Sequence, residues 1–135
     1  MDRNEIMKLI PHRVDMLILD EVINLDDNSA VGKYKVTGKE FFFNGHYPNK
    51  PIVPGSILCE IMAQLIAVFA SQRRQGLPLL AEINNAKFKK MAVPGNILLI
   101  RMDLIKDSIR IITANCSVSV DNSLIASAKL TVALL

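Results

Sequence analysis

A chain of 135 residues, half of them apolar and 21% charged, has the size and composition of one domain spanning residues 1–135, and it excludes a disordered chain. A net charge of +3 without a long basic run, with two tyrosines, five phenylalanines and no tryptophan, argues against a nucleic-acid binder, which needs a basic stripe and stacking side chains. Cys59 and Cys116 make neither a disulfide framework nor a zinc cluster, the usage expected in a reducing cytoplasm.

The segment Met1 to Arg13 scatters Asp2, Arg3, Glu5 and Lys8 among apolar residues and lacks the apolar run of a secretion signal. Met16 to Leu25 and Ser29 to Thr37 are rich in β-formers, and Asp26, Asn28 and their neighbour Asp27 separate them, which predicts a hairpin. An irregular stretch, Gly38 to Val53, follows and holds Phe41, Phe42, Phe43 and His46. A helix is predicted from Pro54, since proline suits the first helical position, to about Arg74, with Gly76 as terminator. Ile57, Ile61 and Leu65 form one apolar row and Leu58, Met62, Ile66 and Phe69 another, so this helix belongs in the core. Its most apolar part, Ile61 to Ala70, contains Gln64 and is about half the roughly 20 residues a membrane span needs, so no membrane insertion is expected.

Strands are predicted at Ile83 to Lys89 and Asn96 to Lys106. Period-two alternation is clearest at the end, where Ile112, Ala114, Cys116, Val118 and Val120 alternate with polar residues. Asp121, Asn122 and Ser123 turn the chain, and the alternation resumes from Leu124 to Leu134. About six strands and one long apolar helix predict an α+β fold in which a curled, mainly antiparallel sheet wraps a central helix. Two free sheet edges then favour a dimer at least.

The chemistry concentrates between Gly45 and Gln64. Pro48, Pro51 and Pro54 recur at the polyproline spacing and stiffen the tether between His46 and the helix, as a general base aimed at one C–H bond requires. Glu60 falls in the second helical turn among apolar residues with no cation in its sequence neighbourhood, so its pKa is expected to rise and the group to donate as a neutral acid. Gln64, one turn on, is placed to orient it. The Gly55 N–H at the helix start suits a carbonyl gaining negative charge. Base, acid and oxyanion donor together fit proton abstraction beside a thioester carbonyl with loss of a β-hydroxyl, and no metal or organic cofactor is required.

Pro11-His12-Arg13, Gly45-His46-Tyr47-Pro48, Pro51-Ile52-Val53-Pro54-Gly55, Glu60-Ile61-Met62-Ala63-Gln64 and Ala86-Lys87-Phe88 with Val93-Pro94-Gly95 resemble, in this order and over nearly the whole chain, the β-hydroxyacyl-acyl-carrier-protein dehydratases of the FabZ type. The resemblance implies a hot-dog fold and His46 as base on the α-carbon. It makes Glu60 of the other protomer the acid for the leaving hydroxyl, with Gly55, Gln64, Val53 and Phe88 against the substrate. It also implies a homodimer or trimer of dimers that takes its acyl thioester from acyl carrier protein. Glu60 stands where the isomerising sister family usually has Asp, which favours plain dehydration. Val14-Asp15 in place of Tyr-Pro, Ser56 in place of an apolar residue and the short Gln72 to Glu82 connection depart from the family pattern and bear on chain-length selectivity.

Other readings stay open at this stage. A hot-dog thioesterase would use the helix carboxylate to activate water, and a non-catalytic acyl-thioester binder would keep the scaffold alone. Lys87, Lys89 and Lys90 with Arg101 are as compatible with a solvated strand edge as with a docking patch for an acidic carrier. Arg73 and Arg74 have the helix dipole as sufficient reason for their place. His12 reads as structural and Cys59 as a core residue.

Overall fold

The computed structural model describes residues 1–13, 15–44 and 49–135; His46, with Gly45, Tyr47 and Pro48, lies outside them. Six strands form one antiparallel sheet in the order β1-β2-β4-β5-β6-β3. They are β1 (Glu21–Leu25), β2 (Ser29–Lys35), β3 (Pro78–Phe88), β4 (Ile97–Asp107), β5 (Ile111–Val120) and β6 (Ser123–Leu134). The sheet curls about α2 (Gly55–Ser71), which packs against β2, β4, β5 and β6. This is the hot-dog arrangement.

Helix α2 is buried because its sequence leaves it no wet face: Leu58, Cys59 and every residue from Ile61 to Ala70 are buried. Each large apolar side chain withdrawn from water contributes about 1.5–3 kcal/mol, which is why a helix with so few polar positions is stable only inside a sheet. Pro54 caps it in polyproline geometry, at φ −58° and ψ 142°, and the helix begins one residue later than expected. It also ends earlier, at Ser71, so Arg73 and Arg74 lie beyond its last turn.

The inner sheet face is made by alternate residues, Leu98, Ile100 and Met102 on β4, Ile112, Ala114, Cys116 and Val118 on β5, and Ala126, Ala128, Leu130 and Val132 on β6. The β5–β6 turn places Asp121 and Asn122 at φ 50° and 65°, the left-handed pair that a tight hairpin requires. Strand β3 differs from the others. It is an edge, nearly all of it is exposed, and it carries Leu79, Leu80, Ile83 and Phe88 to the surface.

Two expectations are corrected. Residues Met16 to Asp20 are not the start of a strand; β1 begins at Glu21, because part of the preceding backbone is engaged by a side chain of α2. A first helix, α1 (Arg3–Leu9), is present where none was read. It opens on a capping box in which the Asp2 carboxylate accepts from Glu5 N–H at 2.8 Å and the Glu5 carboxylate accepts from Asp2 N–H.

Candidate active site

Glu60 sits on the flank of α2, with its side chain 24% exposed. One turn later Gln64 is buried and donates from Nε2 to Glu60 Oε1 at 3.1 Å. The same amide donates to Met16 O and accepts from Ile18 N–H at 2.9 Å. Both ends of the Gln64 side chain are therefore fixed, and a glutamine so held points its N–H at the carboxylate without freedom to turn away. The i, i+4 pairing expected from sequence is present.

The protonation expected for Glu60 is not. His12 Nε2 stands 3.4 Å from Glu60 Oε1. Burial pushes the carboxyl upward, but hydrogen bonding from His12 and Gln64 and the imidazole charge outweigh it, and the group lies below the ordinary carboxylate value. The His12 ring comes from 48 positions earlier in the chain, outside the sequence neighbourhood of Glu60. His12, Glu60 and Gln64, with Ala63, Ala67, Pro78, Leu80 and Val132, line a small cavity of about 30 Å³, room for a water or a hydroxyl.

A second cavity, of about 340 Å³, gathers Val53, Gly55, Leu58 and Phe88 with Lys89, Lys90 and Met91. Val53 is tied to the chain beyond β3 by its N–H to Ala92 O at 2.8 Å. The Phe88 ring lies over Gly55, so that an added Cβ would stand 3.1 Å from ring atoms Cε1 and Cζ. Three of the four residues expected against substrate are thus together, and Gln64 is with Glu60 instead. The separation is helical: five residues at 100° each turn Glu60 about 140° from Gly55. One chain therefore places the Gly55 N–H on one side of α2 and the Glu60 carboxyl on the other.

The basic residues also divide. Arg73 and Arg74 both pair with Asp107, and Arg73 stacks on Phe69 at 4.2 Å. Arg101 is held by Asp103 at 2.8 Å on its own strand. Lys89 and Lys90 remain at the mouth of the larger cavity, with Lys90 Nζ on Ser123 Oγ at 2.5 Å. Cys59 and Cys116 are core residues, and burial pushes both thiols up, Cys116 to about 12.

Comparison with known proteins adds to this geometry. The family model of the FabA-like domain matches residues 10–129. The chain belongs to the FabA-like family. It is 42% identical over 110 residues to the 3-hydroxyacyl-acyl-carrier-protein dehydratase FabZ of Clostridium botulinum, covering 78% of this chain and 76% of that one. To the protein of the same name from Fusobacterium nucleatum it is 38% identical over 134 residues, 97% and 95% of the two chains.

Among solved structures, the FabA-like fold seen here matches a chain of the dehydratase heterocomplex ApeI:P from Xenorhabdus doucetiae with a TM-score of 0.85, at 20% identity over 96% of this chain and 90% of that one. A hypothetical thioesterase with coenzyme A from Streptococcus pneumoniae matches at 0.66, with 12% identity over 96% and 90%. At such identities the likeness is one of fold. No helix among the described residues is long and apolar enough to cross a membrane.

Proposed function

We infer that this chain is a 3-hydroxyacyl-acyl-carrier-protein dehydratase, converting (3R)-hydroxyacyl thioesters to trans-2-enoyl thioesters in fatty-acid synthesis. The observation that carries the reading is a half-buried carboxyl, Glu60, fixed by Gln64 on the central helix of a chain 38% identical to a FabZ dehydratase over nearly its whole length. In the proposed reaction His46 removes a proton from the α-carbon, and the released electron pair forms the Cα=Cβ bond. The Cβ–O bond then breaks, and the hydroxyl takes a proton from Glu60 and departs as water. The Gly55 N–H, at a helix start where no carbonyl of the helix is available to it, supports the thioester oxygen while charge builds there.

The depressed Glu60 carboxyl is compatible with donation because it is still partly exposed in one chain. A second subunit and an acyl chain laid over it increase desolvation, which drives a carboxyl toward its neutral form. The two-sided placement of Gly55 and Glu60 on α2 favours a site shared between protomers, with His46 and Gly55 from one and Glu60 and Gln64 from the other. The exposed apolar edge β3 is the surface by which a homodimer, or a trimer of dimers, is proposed to form. Lys89 and Lys90 are the proposed contacts for the acidic carrier, since Arg73, Arg74 and Arg101 already have carboxylate partners. Work on carrier-bound intermediates suits a cytoplasmic enzyme.

Hydration of a short trans-2-enoyl thioester, followed by loss of its ultraviolet absorbance, tests the assignment. Wild-type protein is expected to turn over, and Glu60→Gln and His46→Ala to lose about 10²–10⁴-fold in kcat while remaining folded. A folded, dimeric wild type that hydrates no enoyl thioester refutes the reading.

A further inference from the structure

We propose that His12 is a positioning residue for the dehydration: with the Gln64 amide its Nε2 holds Oε1 of Glu60, which leaves Oε2 as the oxygen that passes the proton to the departing hydroxyl. This rests on Glu60 being the acid, as inferred above.

The sequence around His12 is built to aim it. Pro11 restricts the backbone just after α1, and the Arg13 guanidinium donates from Nη1 to Ile10 O at 3.0 Å and to His12 O at 2.7 Å, clamping the residue from behind. The ring then reaches α2, where Nε2 meets Oε1 at 3.4 Å. Nδ1 is buried and has no hydrogen-bond partner among the described residues, so the ring's one polar engagement described is with Glu60. Gln64 meets the same oxygen from the helix side and is itself braced by Met16 and Ile18. One oxygen thus carries two anchored donors.

Among the described residues lining the cavity between them, His12 and Glu60 are the ionisable pair; Ala63, Gln64, Ala67, Pro78, Leu80 and Val132 carry no charge. Removing His12 therefore acts on Glu60 with little competition, and the lowering that His12 exerts on the carboxyl is lost with it.

The test compares wild type, His12→Leu and His12→Gln, with a crotonyl thioester as probe. His12→Leu is expected to lower kcat about tenfold to a hundredfold with KM changed less than about twofold, the signature of a misaimed group. His12→Gln, whose amide N–H reaches the same oxygen, is expected to recover most of that loss. Independently of turnover, a ¹³C titration of the Glu60 side-chain carboxyl should give a higher midpoint in His12→Leu than in wild type. Undiminished kcat in His12→Leu, no recovery in His12→Gln, or an unmoved Glu60 midpoint each overturns the proposal. Should His12→Leu not fold, the titration in His12→Gln decides, since the imidazole is absent there too. A wild type that hydrates nothing while its Glu60 midpoint responds to His12 refutes the dehydratase reading and leaves the pairing of the two residues standing.

Discussion

Gln64 does two jobs with one side chain, and its replacement separates them. In Gln64→Leu the volume is nearly kept, but Ile18 N–H loses its acceptor in a buried place and Glu60 loses its helix-side donor. An unsatisfied buried amide costs about 1–3 kcal/mol, so urea unfolding should shift by that amount, and hydration should slow as well. Glu40 offers a different check. Burial raises its carboxyl, but the Tyr34 hydroxyl, the Thr37 N–H and hydroxyl, and the Gly38 N–H all donate to it, and its pKa falls from 4.5 to about 2. A carboxyl lower in the folded chain than in the unfolded one stabilises above the unfolded value, and that stability drains away as pH falls through the folded one. Between pH 4.5 and about 2, Glu40→Gln should therefore lose less stability than wild type, as urea midpoints across the window will record. Of the site residues, Glu60 and Gln64 were legible because helical spacing places them together. His12 was not, since its closeness to Glu60 depends on the path of the chain between α1 and α2, which no local pattern encodes.

At the scale of elements, β2 runs so close under α2 that Gly32 has no room for a side chain. A Cβ there would meet Leu19 Cδ2 at 2.9 Å, Leu65 Cδ1 at 3.2 Å and the backbone oxygen of Glu21 at 3.3 Å. Leucine tips can shift, but the Glu21 carbonyl belongs to the paired strand, so Gly32→Ala should destabilise by about 1–3 kcal/mol, read from urea unfolding. The β5–β6 hairpin was legible because one face is dry and the other wet, and residue alternation follows directly from that. Strand β3 was read five residues late, from Ile83 instead of Pro78, because an edge exposed along nearly its whole length imposes no alternation. Helix α1 escaped notice because it is seven residues long and buries only Ile6, leaving the capping box of Asp2 and Glu5 as its signal.

For the molecule as a whole, the proposed division of the site between subunits has a consequence that neither mutant shows alone. If His46→Ala and Glu60→Gln chains are mixed and allowed to exchange subunits, each mixed dimer contains one site with both groups intact. Random pairing makes half the dimers mixed, so activity should return to about one quarter of wild type. A site built within one chain would give no recovery. The long apolar helix and the alternating strands made a curled sheet about a helix legible, and the motifs' resemblance to the FabZ-type dehydratases implied the hot-dog class, whereas the division of the two candidate cavities around α2 required coordinates.

The β3 edge deserves its irregularities. Its register with β6 shifts between Leu80 and Glu82 and again between Asn84 and Lys87, and Asn85 takes φ 53°. A smooth eleven-residue border would accept any extended peptide and extend without limit. A border broken twice has a profile that few strangers share, and the one profile always at hand is its own, turned through a half rotation. On the proposed pairing of two β3 edges, such a contour would limit growth at two, so that a chain with an apolar rim would end as a closed pair and not as a ribbon.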